Sequence, residues 1–351
     1  MKSKKLIIVF TFVVGAFLLS ACAGVIGASS WPGITATEDT IYVAYAAGVR
    51  AINAGNGTQL WRYPAEPGNR TFFAAPVISG DQLIVGDYTN VLSSINRQGG
   101  AERWTFTGAT GRFIASPLVT DELILAPSAD HFLYALDKNG QEQWRFRANH
   151  GLWSAPALVD EVVFLSSMDH HLYALNVNNG QEIWRVNAGG SIVHTPKISD
   201  DGLVLVGTLG SEVLAVDFDG NIRWRTPTDN AVWTRPTQHN GVVFFGDLDG
   251  VVYAVNVTDG SIAWRKNLAA GAIVGSAVVI EDLIVFVTET GRVEAFTPGG
   301  ESRWNRSFNG KLYSNPVVAG NRIIIGIIQG DYMIAALDSN GSELWTFTPE
   351  E

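Results

Sequence analysis

Few side chains in this 351-residue chain are of types that do chemistry, and they are widely spaced. Asp130-His131, His150 and Asp169-His170 combine carboxylate and imidazole, the donor types of a zinc-like site. Arg70, Arg112, His150 and Lys311 could hold an anion. Phe73, Trp153, Trp233 and Tyr313 could stack on a flat ligand or grip a peptide segment. There is no G-x-S-x-G, no H-E-x-x-H and no glycine loop opening a helix. Asp247-Leu248-Asp249-Gly250 starts like a calcium loop but lacks the later acidic ligand. No catalytic residue and no metal-ligand set is assigned, so the use of these side chains depends on the elements that position them.

Those elements repeat. Tryptophans fall at Trp61, Trp104, Trp144, Trp184, Trp224, Trp264, Trp304 and Trp345, spaced by 40 to 43 residues. Pro32, Pro76, Pro117, Pro156, Pro196, Pro236 and Pro316 precede them by 27 to 29 residues, with Ala277 in the proline place of the seventh unit. Within one unit, Ala155–Val159, Val162–Ser166, His171–Asn176 and Gln181–Val186 read as short strands, separated by Asp-Glu, Met-Asp-His and Asn-Asn-Gly turns. Four strands in about 40 residues predict the blade of a β-propeller, and eight units predict an all-β, eight-bladed ring of four-stranded antiparallel blades. A lone blade exposes both faces of its sheet; packing blades in a ring buries them, with the repeated tryptophan as the wedge.

The frame locates the candidates. Arg70, Arg112, His150 and Lys311 fall on the rim where the chain enters the innermost strands. His131 and His170 stand where other units have Gly250 or Gly291 in a hairpin turn, and read as turn residues tolerant of positive φ. Phe73, Trp153, Trp233 and Tyr313 share the register three residues before the repeat proline, with Ile114, Val193 and Val274 in the other units. Trp153 and Trp233 lie outside the docking repeat and are the stronger binding candidates.

Composition narrows the partners. The chain has 24 basic and 34 acidic residues, and a net charge of −10 repels a phosphate backbone, so no nucleic acid is expected. A single cysteine excludes a disulfide framework. Hydrophobic residues make up 46% of the chain, too many for a disordered acidic polymer.

The N-terminus reads as an export signal. Lys2, Lys4 and Lys5 precede an uncharged, mostly apolar run from Leu6 to Leu19. The run ends in Leu19-Ser20-Ala21-Cys22, which resembles the bacterial lipobox; the resemblance implies acylation of Cys22 after cleavage. The expected organisation is a signal peptide over 1–21, a lipidated tether over 22–30 and the propeller over 31–351. Cleavage removes three lysines and no acid, leaving 21 basic and 34 acidic residues, a net of −13. Ala23 rather than Asp follows the cysteine, which by resemblance favours the outer membrane of a diderm cell. In a monoderm the protein would sit on the outer surface of the cell membrane. Residues 23–30 reach at most roughly 26 Å, holding the folded body close to the bilayer.

A finer motif, Ala-x-Asp/Asn-x-x-x-Gly-x-x-x-Trp, runs through Ala174-Leu175-Asn176…Gly180…Trp184 and Ala254-Val255-Asn256…Gly260…Trp264. It is one residue shorter in Ala135-Leu136-Asp137…Gly140…Trp144 and around Ala215, Ala295 and Ala336. It resembles the tryptophan-docking motif of the PQQ-repeat β-propellers, and the resemblance covers all eight units. One branch of that family holds pyrroloquinoline quinone with calcium and oxidises alcohols or sugars; its members are longer, with large insertions. The other branch consists of scaffold lipoproteins similar to the BamB-type factors of outer-membrane protein assembly. Near-equal units, the lipobox and the chain length resemble the scaffold branch.

The expected protein is therefore an exported, lipid-anchored, non-enzymatic scaffold, a monomeric propeller binding an envelope protein or an extended client chain, with no cofactor. Strand addition at an outer blade edge is one mode. The alternatives are a quinone-binding oxidoreductase, for which Arg70, Arg112 and Lys311 would face the quinone carboxylates, and a cell-wall or carbohydrate-binding propeller using the aromatic rim.

Overall fold

The computed structural model describes residues 31–66 and 68–349. The expected signal peptide, Cys22 and the tether up to residue 30 lie outside the described residues.

Eight separate four-stranded antiparallel sheets follow one another along the chain, each built from consecutive strands, and no helix occurs among the described residues. The blades span 33–63, 77–106, 118–147, 157–187, 197–227, 237–267, 278–307 and 317–347. In the fourth blade the strands are Ala157–Val159, Val162–Ser166, His171–Asn176 and Glu182–Asn187. The β-branched and aromatic residues of the second and third strands are almost fully buried, because both faces of each sheet meet a neighbouring blade. The core is correspondingly divided into eight clusters. Each joins two adjacent blades, and the last joins Ile324, Ile334 and Ala336 of the eighth blade to Ile41, Val43 and Ile52 of the first.

The register explains the docking motif. In every blade a small residue of the third strand faces the tryptophan of the fourth, as Ala174 faces Trp184 and Ser94 faces Trp104, and a register shift follows at once. The indole then leaves its own blade. Its N–H donates to a carbonyl of the next: Trp144 to Val177 at 3.1 Å, Trp184 to Phe218 at 2.9 Å, Trp224 to Val257 at 2.8 Å. The motif glycine receives the indole of the blade before. At Gly180, φ is +70°, and a Cβ there would lie 2.5 Å from Trp144 Cε3. Only glycine satisfies both the left-handed backbone and the close approach. Gly180 and Trp184, in one blade, thus dock in opposite directions around the ring.

One register differs from the sequence expectation. Thr35 pairs with Tyr42 as Val77 pairs with Ile84, so Ile34, not Pro32, occupies the place of Pro76. The Thr35 hydroxyl donates to the Pro76 carbonyl, as the Thr237 hydroxyl does to Ala277. This shift puts Trp31 in the register of Phe73, Trp153, Trp233 and Tyr313.

Candidate functional site: an aromatic cavity on the ring axis

The segments that lead into the innermost strands converge on the ring axis and enclose a cavity of about 360 Å³. Around it stand Tyr313 of the eighth blade, Trp31 of the first, Phe73 and Tyr88 of the second, Arg112 of the third, Trp153 of the fourth, His194 of the fifth and Trp233 of the sixth. Ile114 and Val193 also line it. The expected aromatic register is therefore a cavity wall. Trp31, Tyr88 and His194 join it without having been singled out in the sequence.

Part of the wall is a continuous aromatic arc. Trp31 meets Phe73 edge-on at 4.1 Å between centroids and Tyr313 at 5.8 Å, and Phe73 stacks on Tyr88 at 5.6 Å. The Arg112 guanidinium carries the arc onward, 5.0 Å from the centroid of Tyr88. Burial raises the Tyr88 hydroxyl above its usual range, and the charge of Arg112 works against that.

The remaining cations of the rim are engaged. Arg70 donates to the fully buried Asp87, to Tyr63 Oη at 2.6 Å and to Ser93 Oγ at 2.8 Å. Lys311 pairs with Glu289 at 3.0 Å, and Tyr313 donates its hydroxyl to the same carboxylate at 2.7 Å. The hydrogen bonds from Tyr313 and Lys311 hold Glu289 below the usual carboxylate range. His150 is exposed and stacks on His131 at 5.5 Å, outside the cavity lining.

The acid–histidine pairs serve the loops. Burial pushes Asp130 upward, but hydrogen bonds from the Thr110 N–H, the Tyr134 hydroxyl, Ser128 and the Phe132 N–H outweigh it and lower its pKa. Asp169 is held the same way, through the Tyr173 hydroxyl and the Asn149 and His171 N–H groups. Asp247 repeats the arrangement with Tyr253, whose own hydroxyl is pushed up to about 12 by burial and this carboxylate. Each aspartate clamps the rim loop that enters its blade. His131 and His170 have φ of +77° and +73°. Among the described residues no group of three His, Cys, Asp or Glu is placed to hold a metal ion.

His194 is enclosed by protein, and its ring opens partly onto the cavity. Burial, then the charge of Arg235, lowers its pKa to about 4, so it is neutral at pH 7. Among the described residues no Asp or Glu lines the cavity. Calcium takes six to eight oxygen ligands, carboxylates prominent among them, so this lining does not fit the quinone–calcium pair. The opposite face of the ring differs. The turns between first and second strands carry Glu38, Asp39, Asp81, Asp121, Glu122, Asp160, Glu161, Asp200, Asp201, Glu281 and Asp282.

The outer edges of the blades also carry apolar side chains. Leu60 and Ile183 are 54% and 53% exposed on fourth strands, and Ile222, Ile262 and Leu344 stand on the fourth strands of three further blades.

Comparison with known proteins agrees with this architecture. A family model described as outer membrane protein assembly factor BamB matches residues 46–186, 168–272 and 248–351. The chain is 27% identical over 145 residues to the BamB of Yersinia pestis, covering 40% of this chain and 37% of that protein. It is 28% identical over 143 residues to the BamB of Escherichia coli strain K12, covering 37% and 36%. These alignments span little more than a third of the relatives' lengths. The crystal structure of BamB from Moraxella catarrhalis superposes with a TM-score of 0.74 at 19% identity, over 86% of this chain and 92% of that one. The computationally designed Ika8 protein superposes at 0.72 with 14% identity, over 91% and 96%.

Proposed function

The chain belongs to the family of the outer membrane protein assembly factor BamB, and from that membership we propose that it is a non-enzymatic envelope scaffold that binds other proteins in outer-membrane protein assembly. Export and anchoring belong to the same reading: Leu19-Ser20-Ala21-Cys22 would be cut before Cys22 and the cysteine acylated, fixing the ring to the periplasmic face of the outer membrane. The observation that carries the binding role is the set of apolar side chains on the outermost strands. A fourth strand has one unpaired ladder edge, and at Leu60, Ile183, Ile222, Ile262 and Leu344 that edge is flanked by exposed hydrocarbon. Sheet edges left in that state are templates for an added strand. The connecting segments between consecutive blades are short, from 9 to 13 residues, with no long insertion to cover these edges among the described residues.

The test is photo-crosslinking in cells from positions 183, 222 and 262, with position 98 in a turn as the control. Adducts with an outer-membrane β-barrel or a barrel-assembly protein are expected from the edge positions. Loss of the chain should also lower the level of folded barrels in the outer membrane. Edge positions that give no such adduct, together with unchanged barrel levels, would sink the scaffold reading.

A further inference from the structure

The axial cavity has a chemistry that scaffolding at the blade edges does not use. Six aromatic rings face it: Trp31, Phe73, Tyr88, Trp153, Trp233 and Tyr313. Its polar lining is donor-rich. The Arg112 guanidinium rests on Tyr88 and has no carboxylate against it, and the neutral His194 imidazole has no hydrogen-bond partner. The Arg235 side chain, exposed and outside the cavity lining, has no ion pair among the described residues, and its charge acts on His194. In a chain of net charge −10 with 34 acidic residues, a cavity with no Asp or Glu among its described lining residues, and with Arg112 and His194 left without partners, is complementary to an anion.

We propose that the cavity binds a flat aromatic group bearing a carboxylate, its ring held by the aromatic wall and its carboxylate by Arg112 and His194. The two parts of the lining set both requirements. Aromatic walls reward a ring, through edge and face contacts and burial. A guanidinium with no ion-pair partner of its own rewards a carboxylate with charge-assisted hydrogen bonds that a neutral amide cannot return. Two sources carry this chemistry: a free aromatic acid, or the last residue of a polypeptide that ends in an aromatic side chain and its terminal carboxylate. This site stands apart from the scaffold reading, since none of its residues lies on an outer strand.

The test is calorimetry on the exported form of the chain with two matched pairs of probes. One pair is 2-naphthoate and 2-naphthamide. The other is an octapeptide ending in tryptophan, with a free and an amidated C-terminus. At least one pair should show saturable one-to-one binding with the carboxylate form at least tenfold tighter. Discrimination within the naphthalene pair assigns a free acid, and discrimination confined to the peptide pair assigns a chain end. Arg112→Gln should bring the carboxylate form to the level of the amide and leave the amide unchanged. As a second readout, the His194 ring resonances should titrate at higher pH when the carboxylate probe is bound. Equal affinity within both pairs, or no binding of any probe, would overturn the proposal. So would a tenfold preference that survives Arg112→Gln with an unmoved His194 titration.

Discussion

Trp345 donates its indole N–H to the Ala54 carbonyl at 3.0 Å, joining residues 291 positions apart. The same indole packs on Gly57, whose φ is +74°. Among the described residues no strand is shared between the eighth blade and the first, and side chains join them. Trp345→Ala should therefore cost about 3–5 kcal/mol, the usual loss for removing a packed aromatic. Trp345→Phe, which keeps most of the area and leaves the Ala54 carbonyl without its donor, should cost about 1 to 2 kcal/mol. Urea denaturation checks both; equal losses for the two variants would show that ring area is not what holds this seam.

The docking glycines can be separated from ordinary turn glycines. Gly180→Ala must place a Cβ against Trp144 at a left-handed backbone position, combining roughly 1 kcal/mol or more of conformational cost with a packing clash of about 1–3 kcal/mol. Gly80 has φ of +60° but open space around it, so Gly80→Ala should lose only the conformational part. Thermal melts of the two variants should rank them in that order.

Arg70 is expected to be a structural cation. Its three acceptors include Asp87, which is fully buried and also takes N–H groups of Thr89 and Val91. Removing one partner of a buried pair leaves an uncompensated charge, so Arg70→Ala should destabilise by about 3 kcal/mol. Arg112→Ala, which removes a guanidinium from the face of an aromatic ring, should cost under about 1 kcal/mol. Chemical denaturation separates the two, and similar losses would mean that the Asp87 pair carries no particular weight.

Acid should expose His194. Its folded pKa, about 4, lies below the ordinary 6.5. Between those values the unfolded chain takes up a proton that the folded chain refuses, so stability falls as pH drops from 6.5 towards 4. The full effect is at most on the order of 3 kcal/mol, because the ring opens partly onto the cavity. Above pH 7 the group contributes nothing to the pH dependence. His194→Gln should reduce the stability difference between pH 7 and pH 4.5 relative to the parent chain, while titration of the carboxylates remains in both.

The blades were legible in the sequence because the docking tryptophan must recur wherever a blade meets its neighbour, and its period survives substitution elsewhere. The cavity wall was legible where an aromatic fell at a fixed offset from the repeat proline. Trp31 escaped because Pro32 imitates that proline; measured from the docking tryptophans, it lies 30 residues before Trp61, as Trp153 and Trp233 lie 31 before Trp184 and Trp264. His194 and Arg235 carry no such mark, since each occurs in a single blade at a register where the other blades place small or neutral residues. The clamping role of Asp130 and Asp169 could not be read from adjacency to histidine, because their donors come from a loop about 20 residues earlier and a tyrosine four residues later.

The carboxylates in the turns of the opposite face give the ring a polarity. The turns of the opposite face are rich in carboxylates, although Asp81 pairs with Arg103 and Asp282 with His239, whereas the aromatic cavity has Arg112 in its lining and no Asp or Glu among its described lining residues. For an anion the propeller therefore offers a cup rather than a tube, with the aromatic face as its brim.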